Sequence, residues 1–386
     1  MDRPHITRTR ALSFAVPVSM DGAIGLVQTA LPLLAIRFGA SAWFLGMLWW
    51  TAQTVRLPCT IGSGILSDRI GRTRVILPAA AVALLACVGF ALAENKAQIL
   101  VFYILFMAAI GAFYPSLQAF IGDHSPKGEL RKNLSWFNVG WAVGGSVCTL
   151  AAGYLLAARK PLPFVLGAVL VFVAIQLVFL WSRAPVARAA DAVPNSIPQA
   201  DDGPGPLLFI ARVGHFLGFF GYAIVRSLFP KLGVGLGMTE GTIGLVVGMM
   251  LVGHAAGIFV ASAGPWWRGK LWPQILAQAM SLGSALMAFL VESPVLFAVA
   301  FLVQGSALGI AYAGALYYGL QARTNMGRST GIHESLVAAG LILGAFAGGS
   351  AAQFVNLRAP YLVFAAASFL AIVTSLIYWR RTRTLP

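Results

Sequence analysis

Charged residues are scarce in this sequence: only 10% of its 386 residues are Asp, Glu, Lys or Arg. Soluble domains carry about 25% charged residues, whereas here 59% of the chain is apolar and the mean hydropathy is +0.81. This composition excludes a set of ordinary soluble domains. It indicates a chain that lies mostly in lipid.

Cysteine is nearly absent, with Cys59, Cys87 and Cys148 each inside an apolar stretch. Without a C-x-x-C pair or a Cys/His ligand spacing, the sequence supports neither a disulfide framework nor a zinc site. We therefore predict no bound metal. The three cysteines are expected to be small buried hydrophobic residues.

Sequence signatures of enzymes are lacking as well. There is no G-x-x-x-x-G-K-[ST] loop for ATP and no G-x-S-x-G nucleophile turn. His333-Glu334 is not followed by a second histidine at the zinc-protease spacing. We expect no catalytic activity and no cofactor.

Long apolar runs are abundant. A bilayer core about 30 Å thick needs roughly 20 apolar helical residues, and twelve runs meet this length. They lie near 11–36, 43–66, 75–93, 98–121, 134–157, 163–182, 207–230, 241–263, 271–290, 294–319, 331–354 and 359–379. The predicted fold is an all-α integral membrane protein with twelve transmembrane helices.

The longest connection between two runs is rich in proline and aspartate, which is typical of a hydrophilic linker. It divides the chain into an N-terminal six-helix bundle (1–183), a cytoplasmic linker (184–206) and a C-terminal six-helix bundle (207–386).

The basic residues are distributed unevenly. Most of the 27 Lys and Arg fall in segments that share one side of the membrane if the N-terminus is inside. Positive charge marks the cytoplasmic side, so both termini are predicted to be cytoplasmic, in a bacterial-style inner membrane. Since these residues form no single groove-facing element, nucleic-acid binding is excluded.

A shift of 200 residues aligns the fifth and eleventh predicted helices. The matched pairs are Ser135/Ser335, Gly140/Gly340 and Gly144/Gly344, and Asn133 aligns with His333. Glycines four residues apart share one helix face and permit close approach of a neighbouring helix. The match indicates pseudo-symmetric halves, with chance similarity of small-residue membrane helices as the alternative.

The connection between the second and third helices reads Gly64-Ile-Leu-Ser-Asp68-Arg69-Ile-Gly71-Arg72-Thr-Arg74. It resembles the loop signature G-x-L-x-D-R-x-G-R of the major facilitator superfamily of transporters. The resemblance implies a conformational latch between halves, in which Asp68 meets the N-terminal end of the eleventh helix. The implied latch residues are Gly64, Asp68, Arg69, Gly71, Arg72, Arg74 and Glu334.

Two features depart from the proton-coupled exporters of that family. Met107 stands where they carry an arginine in the fourth helix, and Gly145 stands where they carry a proline in the fifth. Coupling therefore does not follow from the resemblance and has to be argued from the residues.

Asp21 and Arg56 both lie near mid-depth of their predicted helices. Intramembrane ionisable groups are costly and are functional candidates by default. Two interpretations stay open: Asp21 is a protonation or cation-coupling site recaptured by Arg56, or the two form a permanent structural pair.

The family places its substrate cavity between helices one, four, seven and ten, which implies further candidates. They are Gln28, Tyr114, Gln118, His215, Tyr222, Arg226, Gln304, Tyr312 and Tyr317, with His254 on helix eight at a depth similar to Arg56. The alternatives are that the tyrosines only pack, that the histidines are buried and neutral, and that Arg226 extends to the outer interface.

Together, these features predict a monomeric secondary transporter in the lipid bilayer that moves a small-molecule substrate by alternating access. Proton-coupled efflux, as in an antiporter, is the favoured version. The alternatives are uptake or a facilitated carrier, a lipid or lipid-linked sugar flippase, and a non-transporting assembly factor.

Overall fold

The computed structural model describes residues 3–126, 128–183, 205–321 and 326–383, so most of the predicted 184–206 linker lies outside the described residues. The described chain forms twelve α-helices. They are α1 (Arg3–Arg37), α2 (Ala42–Ile70), α3 (Thr73–Leu92), α4 (Lys96–His124), α5 (Leu130–Ala158), α6 (Leu162–Ser182), α7 (Gly205–Gly235), α8 (Glu240–Ser262), α9 (Trp272–Leu290), α10 (Pro294–Gln321), α11 (Met326–Phe354) and α12 (Ala359–Arg383).

Eleven of these helices are long and apolar enough to cross a membrane, judged on the described residues. The remaining helix is α2, which carries Arg56 within its length and Asp68-Arg69 near its end. The predicted all-helical fold is confirmed. Several helices run beyond the predicted spans. Helix α1, for example, begins at Arg3, because an α-helix can continue past the limits of its apolar run.

The helical state follows from the solvent. In hydrocarbon, backbone N–H and C=O groups have no water to bond, and a helix satisfies them within one segment. Side chains cap some ends: Asn95 Oδ1 accepts a hydrogen bond from Gln98 N at 3.0 Å to begin α4, and Thr239 Oγ1 accepts from Thr242 N at 3.2 Å to begin α8.

By contact, the described helices divide into two units. The first unit comprises Met1–Ala40 and Thr51–Asn195. Within it, α1 packs against α5 and α6, and α3 packs against α4 and α6. Helix α1 is the core element, since Met20, Leu26 and Leu31 on it are fully buried.

The second unit comprises Ser41–Trp50 and Ser196–Pro386, so it includes the first residues of α2. Within it, α7 packs against α10 and α11, α8 packs against α10, and α9 packs against α10 and α12. Helix α7 is the core element of this unit, as α1 is of the first.

The aligned glycines make equivalent contacts in the two units. A Cβ on Gly144 of α5 would collide with the Val18 carbonyl oxygen of α1, and one on Gly344 of α11 would collide with the Phe220 carbonyl oxygen of α7. The predicted close approach therefore occurs in both copies, and it brings α5 onto α1 and α11 onto α7.

Candidate functional site

Asp21 of α1 faces α4 and α5 within the first unit. Its carboxylate accepts a hydrogen bond from the Tyr114 hydroxyl of α4. The backbone of α5 flanks it, because a Cβ on Gly145 would lie 3.9 Å from the Asp21 Cβ. The residue is half-buried. A carboxyl group and a phenol thus share one intramembrane site formed by α1, α4 and α5.

Arg56 of α2 packs on the same helix α4. Its backbone oxygen lies 2.7 Å from the Cβ position of Gly111, one turn before Tyr114, and its Nη1 donates to Gln53 Oε1 at 3.4 Å. The ion pairs found among the described residues do not include Asp21 with Arg56. Helix α4 contacts both residues, and Tyr114 is the hydrogen-bond partner of Asp21 in this conformation.

Two glutamines of the first unit have different surroundings. Gln28 of α1 is buried, and its Nε2 donates to the Met107 sulfur of α4 at 3.6 Å. Met107 is the position where proton-coupled exporters carry arginine, so an amide–thioether contact stands in that place here. Gln118 of α4 is exposed.

Three histidines of the second unit surround one tyrosine. His215 of α7 and His333 of α11 stack with ring centroids 4.1 Å apart and planes at 24°. Tyr312 of α10 lies 5.6 Å from His215 and 5.2 Å from His333. His254 of α8 lies 5.9 Å from Tyr312. We call these four side chains the imidazole cluster.

The stacked pair is buried: His215 is 0% exposed and His333 is 7% exposed. Within the described chain, neither ring nitrogen of either histidine has a hydrogen-bond partner. Sequence reasoning did not select His333 as a site residue. The 200-residue repeat aligns His333 with Asn133, and this was the available signal. Asn133 is likewise fully buried in the first unit.

Arg226 of α7 is also buried, with 1% of its surface exposed. The alternative that it extends to the outer interface does not fit this burial. Its guanidinium lies 5.6 Å from the Tyr222 ring and 5.9 Å from the Trp49 ring, and these two rings meet edge to face at 6.4 Å. Aromatic faces attract a cation, so the arginine is held inside the unit.

Gln304 and Tyr317, both on α10, lie apart from each other. Gln304 is buried, and its Nε2 donates to the Gly218 carbonyl oxygen of α7 at 3.3 Å. Tyr317 packs against Trp267 at 5.1 Å, with the Arg268 guanidinium 4.8 Å from its ring. Tyr317 therefore packs against the α8–α9 connection and is not part of the imidazole cluster.

The predicted latch residues centre on Arg72. Its Nη1 donates to Asp68 and to Ser67 Oγ, the latter at 2.9 Å, and its Nε donates to Asp123 Oδ2 of α4 at 3.1 Å. Burial lowers the pKa of Arg72, but hydrogen bonds to the two aspartates outweigh it and raise that pKa overall. Asp123, the acid that completes this group, was not among the sequence candidates.

The other latch residues make fewer contacts. Gly71 has φ +101°, which favours glycine, and Arg74 Nη1 donates to the Ile70 carbonyl oxygen at 3.2 Å. A Cβ on Gly64 would meet no described atom within 4 Å. Arg69 and Glu334 are exposed.

The family profile of the Major Facilitator Superfamily matches residues 9–210, just over half of the chain. The chain belongs to the major facilitator superfamily. It is 24% identical over 187 residues to the uncharacterised MFS-type transporter YdeE of Escherichia coli (strain K12). That match spans 46% of this chain and 46% of YdeE, so it covers about half the length of the curated relative.

Solved structures of superfamily transporters share the fold across nearly the whole chain. A bacterial homologue of the human lysosomal transporter Spinster, inward-facing and occupied, matches with TM-score 0.71 and 16% identity, covering 98% of this chain and 95% of that one. The nucleoside transporter NupG matches with TM-score 0.70 and 13% identity, covering 97% and 99%. The likeness shows that the chain has the fold of these transporters, as a multi-pass membrane protein of the superfamily.

Proposed function

We propose that this protein exports a small organic solute across the cytoplasmic membrane by alternating access, and that protonation of Asp21 couples the export to proton entry. The observation that carries the proposal is the Asp21 carboxylate on α1, hydrogen-bonded to Tyr114 inside a unit of membrane-spanning helices.

An ionised side chain inside a membrane is energetically costly. An acidic side chain near the bilayer centre costs about 2.5–3.5 kcal/mol on insertion scales, and a carboxyl group there changes charge when it gains or loses a proton. Tyr114 supplies a hydroxyl that stabilises the ionised form. Asp21 is half-buried, and the proposal requires that water reaches it in one of the alternating states. Because Met107 stands where the exporters carry arginine, the proposal assigns proton coupling to Asp21 and its partner Tyr114.

The same proposal assigns the connection between α2 and α3 to conformational control. Arg72 joins Asp68 at the end of α2 to Asp123 at the end of α4. Breaking these contacts would allow the two helix ends to move separately. This group would act as the latch that holds one of the two alternating states.

Inside-out membrane vesicles test the coupling. With the interior acidified, a pH-sensitive dye reports proton loss when aromatic carboxylates, phenols, nucleosides or organic cations are added singly. We expect at least one solute class to release protons from vesicles carrying the wild-type chain. Asp21→Asn should abolish that release, because the amide cannot bind and release a proton.

Glu94→Gln is the matched control, since it removes an exposed carboxylate between α3 and α4. It should behave as wild type. Solute-driven proton release that persists in Asp21→Asn would remove Asp21 from the mechanism. No release with any of the four solute classes in the wild-type chain would overturn proton coupling.

A further inference from the structure

The stacked histidines of the second unit are chemically incomplete. A neutral imidazole offers one donor and one acceptor nitrogen, and buried polar atoms are nearly always hydrogen-bonded. His215 and His333 together leave four ring nitrogens without partners in the described chain. Because the ring faces cover each other, the ring edges are where a ligand can bond.

The walls around this pair are aromatic. Phe219, one turn along α7, lies 5.1 Å from the His215 ring at 81°, and it also meets the His254 ring at 6.4 Å. Tyr312 contacts both members of the stack. Such surroundings suit a flat organic molecule. Its ring system can pack against the aromatic side chains while its polar group bonds to the edges of the imidazole rings.

The nearby charges favour one sign of ligand. Arg212, one turn before His215 on α7, is half-buried. Glu334, adjacent to His333 on α11, is exposed. Water screens the exposed carboxylate more than the half-buried guanidinium, so the site is more favourable to an anionic or uncharged group than to a cation.

A metal ion fits this arrangement less well. The described residues contain no group of three or more His, Cys, Asp or Glu side chains placed to hold a metal. Two imidazoles stacked face to face direct their nitrogens within nearly parallel planes, whereas ligands of one ion converge on a point.

We propose that His215 and His333 bind the polar group of a flat organic solute that is uncharged or anionic, with Phe219 and Tyr312 against its ring system. This inference rests on the proposed transport function, for which it names the substrate class. It involves residues of the second unit only and is separate from the Asp21 site.

Binding of three probes with one ring system tests the assignment. Naphthoate, naphthol and naphthylmethylammonium carry an anionic, an uncharged and a cationic group, and each is titrated at neutral pH against the purified full-length protein by calorimetry. We expect naphthoate and naphthol to bind and the ammonium probe to bind at least about tenfold more weakly.

Substitutions then locate the site. His333→Phe and His215→Phe preserve ring stacking but remove the nitrogens, and each should weaken naphthoate binding about tenfold or more, as expected for a lost hydrogen bond to a charged group. His333→Gln restores a donor and an acceptor and should recover most of the affinity. His124→Phe, a buried histidine of the first unit, should leave binding unchanged.

Each other result overturns the inference: a preference for the cationic probe, no binding of any probe, or unchanged affinity in both phenylalanine variants that elute and melt as wild type does. These results differ from a failure of the proposed function. Probe binding with the expected variant pattern, but without solute-driven proton release in vesicles, would leave this site standing and remove the coupling.

Discussion

In the α2–α3 connection, the contacts of Arg72 require an arginine at that position. Arg72 reaches Asp68 and Asp123 at once because a guanidinium presents several donors in a fixed plane. The two carboxylates are exposed to 64% and 47%. Each pair is therefore expected to contribute only about 0–1 kcal/mol to stability, and the more important consequence is geometric.

Arg72→Lys should test this geometry. A lysine ammonium is a single point of charge and cannot span both carboxylates as Arg72 does, so we expect a loss of up to about 1 kcal/mol of stability and slower transport. Thermal unfolding in detergent and vesicle flux measure the two effects. Arg131→Lys, at an exposed arginine of α5 outside the latch, should change neither. Equal effects in both variants would argue against the latch.

Pairs of helices are positioned by glycines where the backbones meet. Gly140 and Gly144 bring α5 onto Phe14 and Val18 of α1. Gly340 and Gly344 bring α11 onto α7 in the same manner, with a Gly340 Cβ position 2.7 Å from the Phe216 carbonyl oxygen. Membrane helices associate through close packing of small residues. These contacts place α5 beside Asp21 and His333 beside His215.

Gly144→Ala and Gly344→Ala should each destabilise the protein by about 1–3 kcal/mol, because the added methyl group forces apart two well-packed helices. Thermal unfolding followed by size-exclusion chromatography measures the loss. Gly62→Ala provides the control on α2, since its Cβ would meet nothing within 4 Å, and alanine favours a helix over glycine. Unfolding temperatures that do not distinguish the control from the two variants would contradict the close-approach argument.

Across the whole molecule, the positive charge is placed unevenly. The chain has a formal net charge of +15, with 27 Lys and Arg against 12 Asp and Glu. Inserted helices orient so that basic connections stay in the cytoplasm. The basic α2–α3 connection, with Arg69, Arg72 and Arg74, and the α8–α9 connection, with Arg268 and Lys270, are predicted to share that side with both termini.

Reporter fusions test this orientation. Green fluorescent protein fused after Pro386 should fluoresce, and alkaline phosphatase fused there should be inactive, because each reporter works on one side of the membrane only. Fusions of the same two reporters after Asn95, between α3 and α4, should give the opposite pattern. Active phosphatase at the C-terminus would overturn the predicted orientation.

The sequence by itself determined the helical class, the number of helices and the family. Each of these depends on local quantities: run length against bilayer thickness, and a short motif of contiguous residues. The glycine repeat likewise predicted the close helix contacts. The division at 184–206 and the cytoplasmic location of the termini stay predictions.

Only the tertiary structure decided which side chains meet. Asp21 bonds Tyr114 and not Arg56, Arg226 is enclosed by Trp49 and Tyr222, and His333 stacks on His215. The residues of each contact are far apart in the chain, and the rotation of a helix about its axis is set by packing against its neighbours. The sequence of a membrane helix with few polar residues does not determine this rotation. It could therefore indicate which side chains lie near mid-depth in the membrane, but not which of them are in contact.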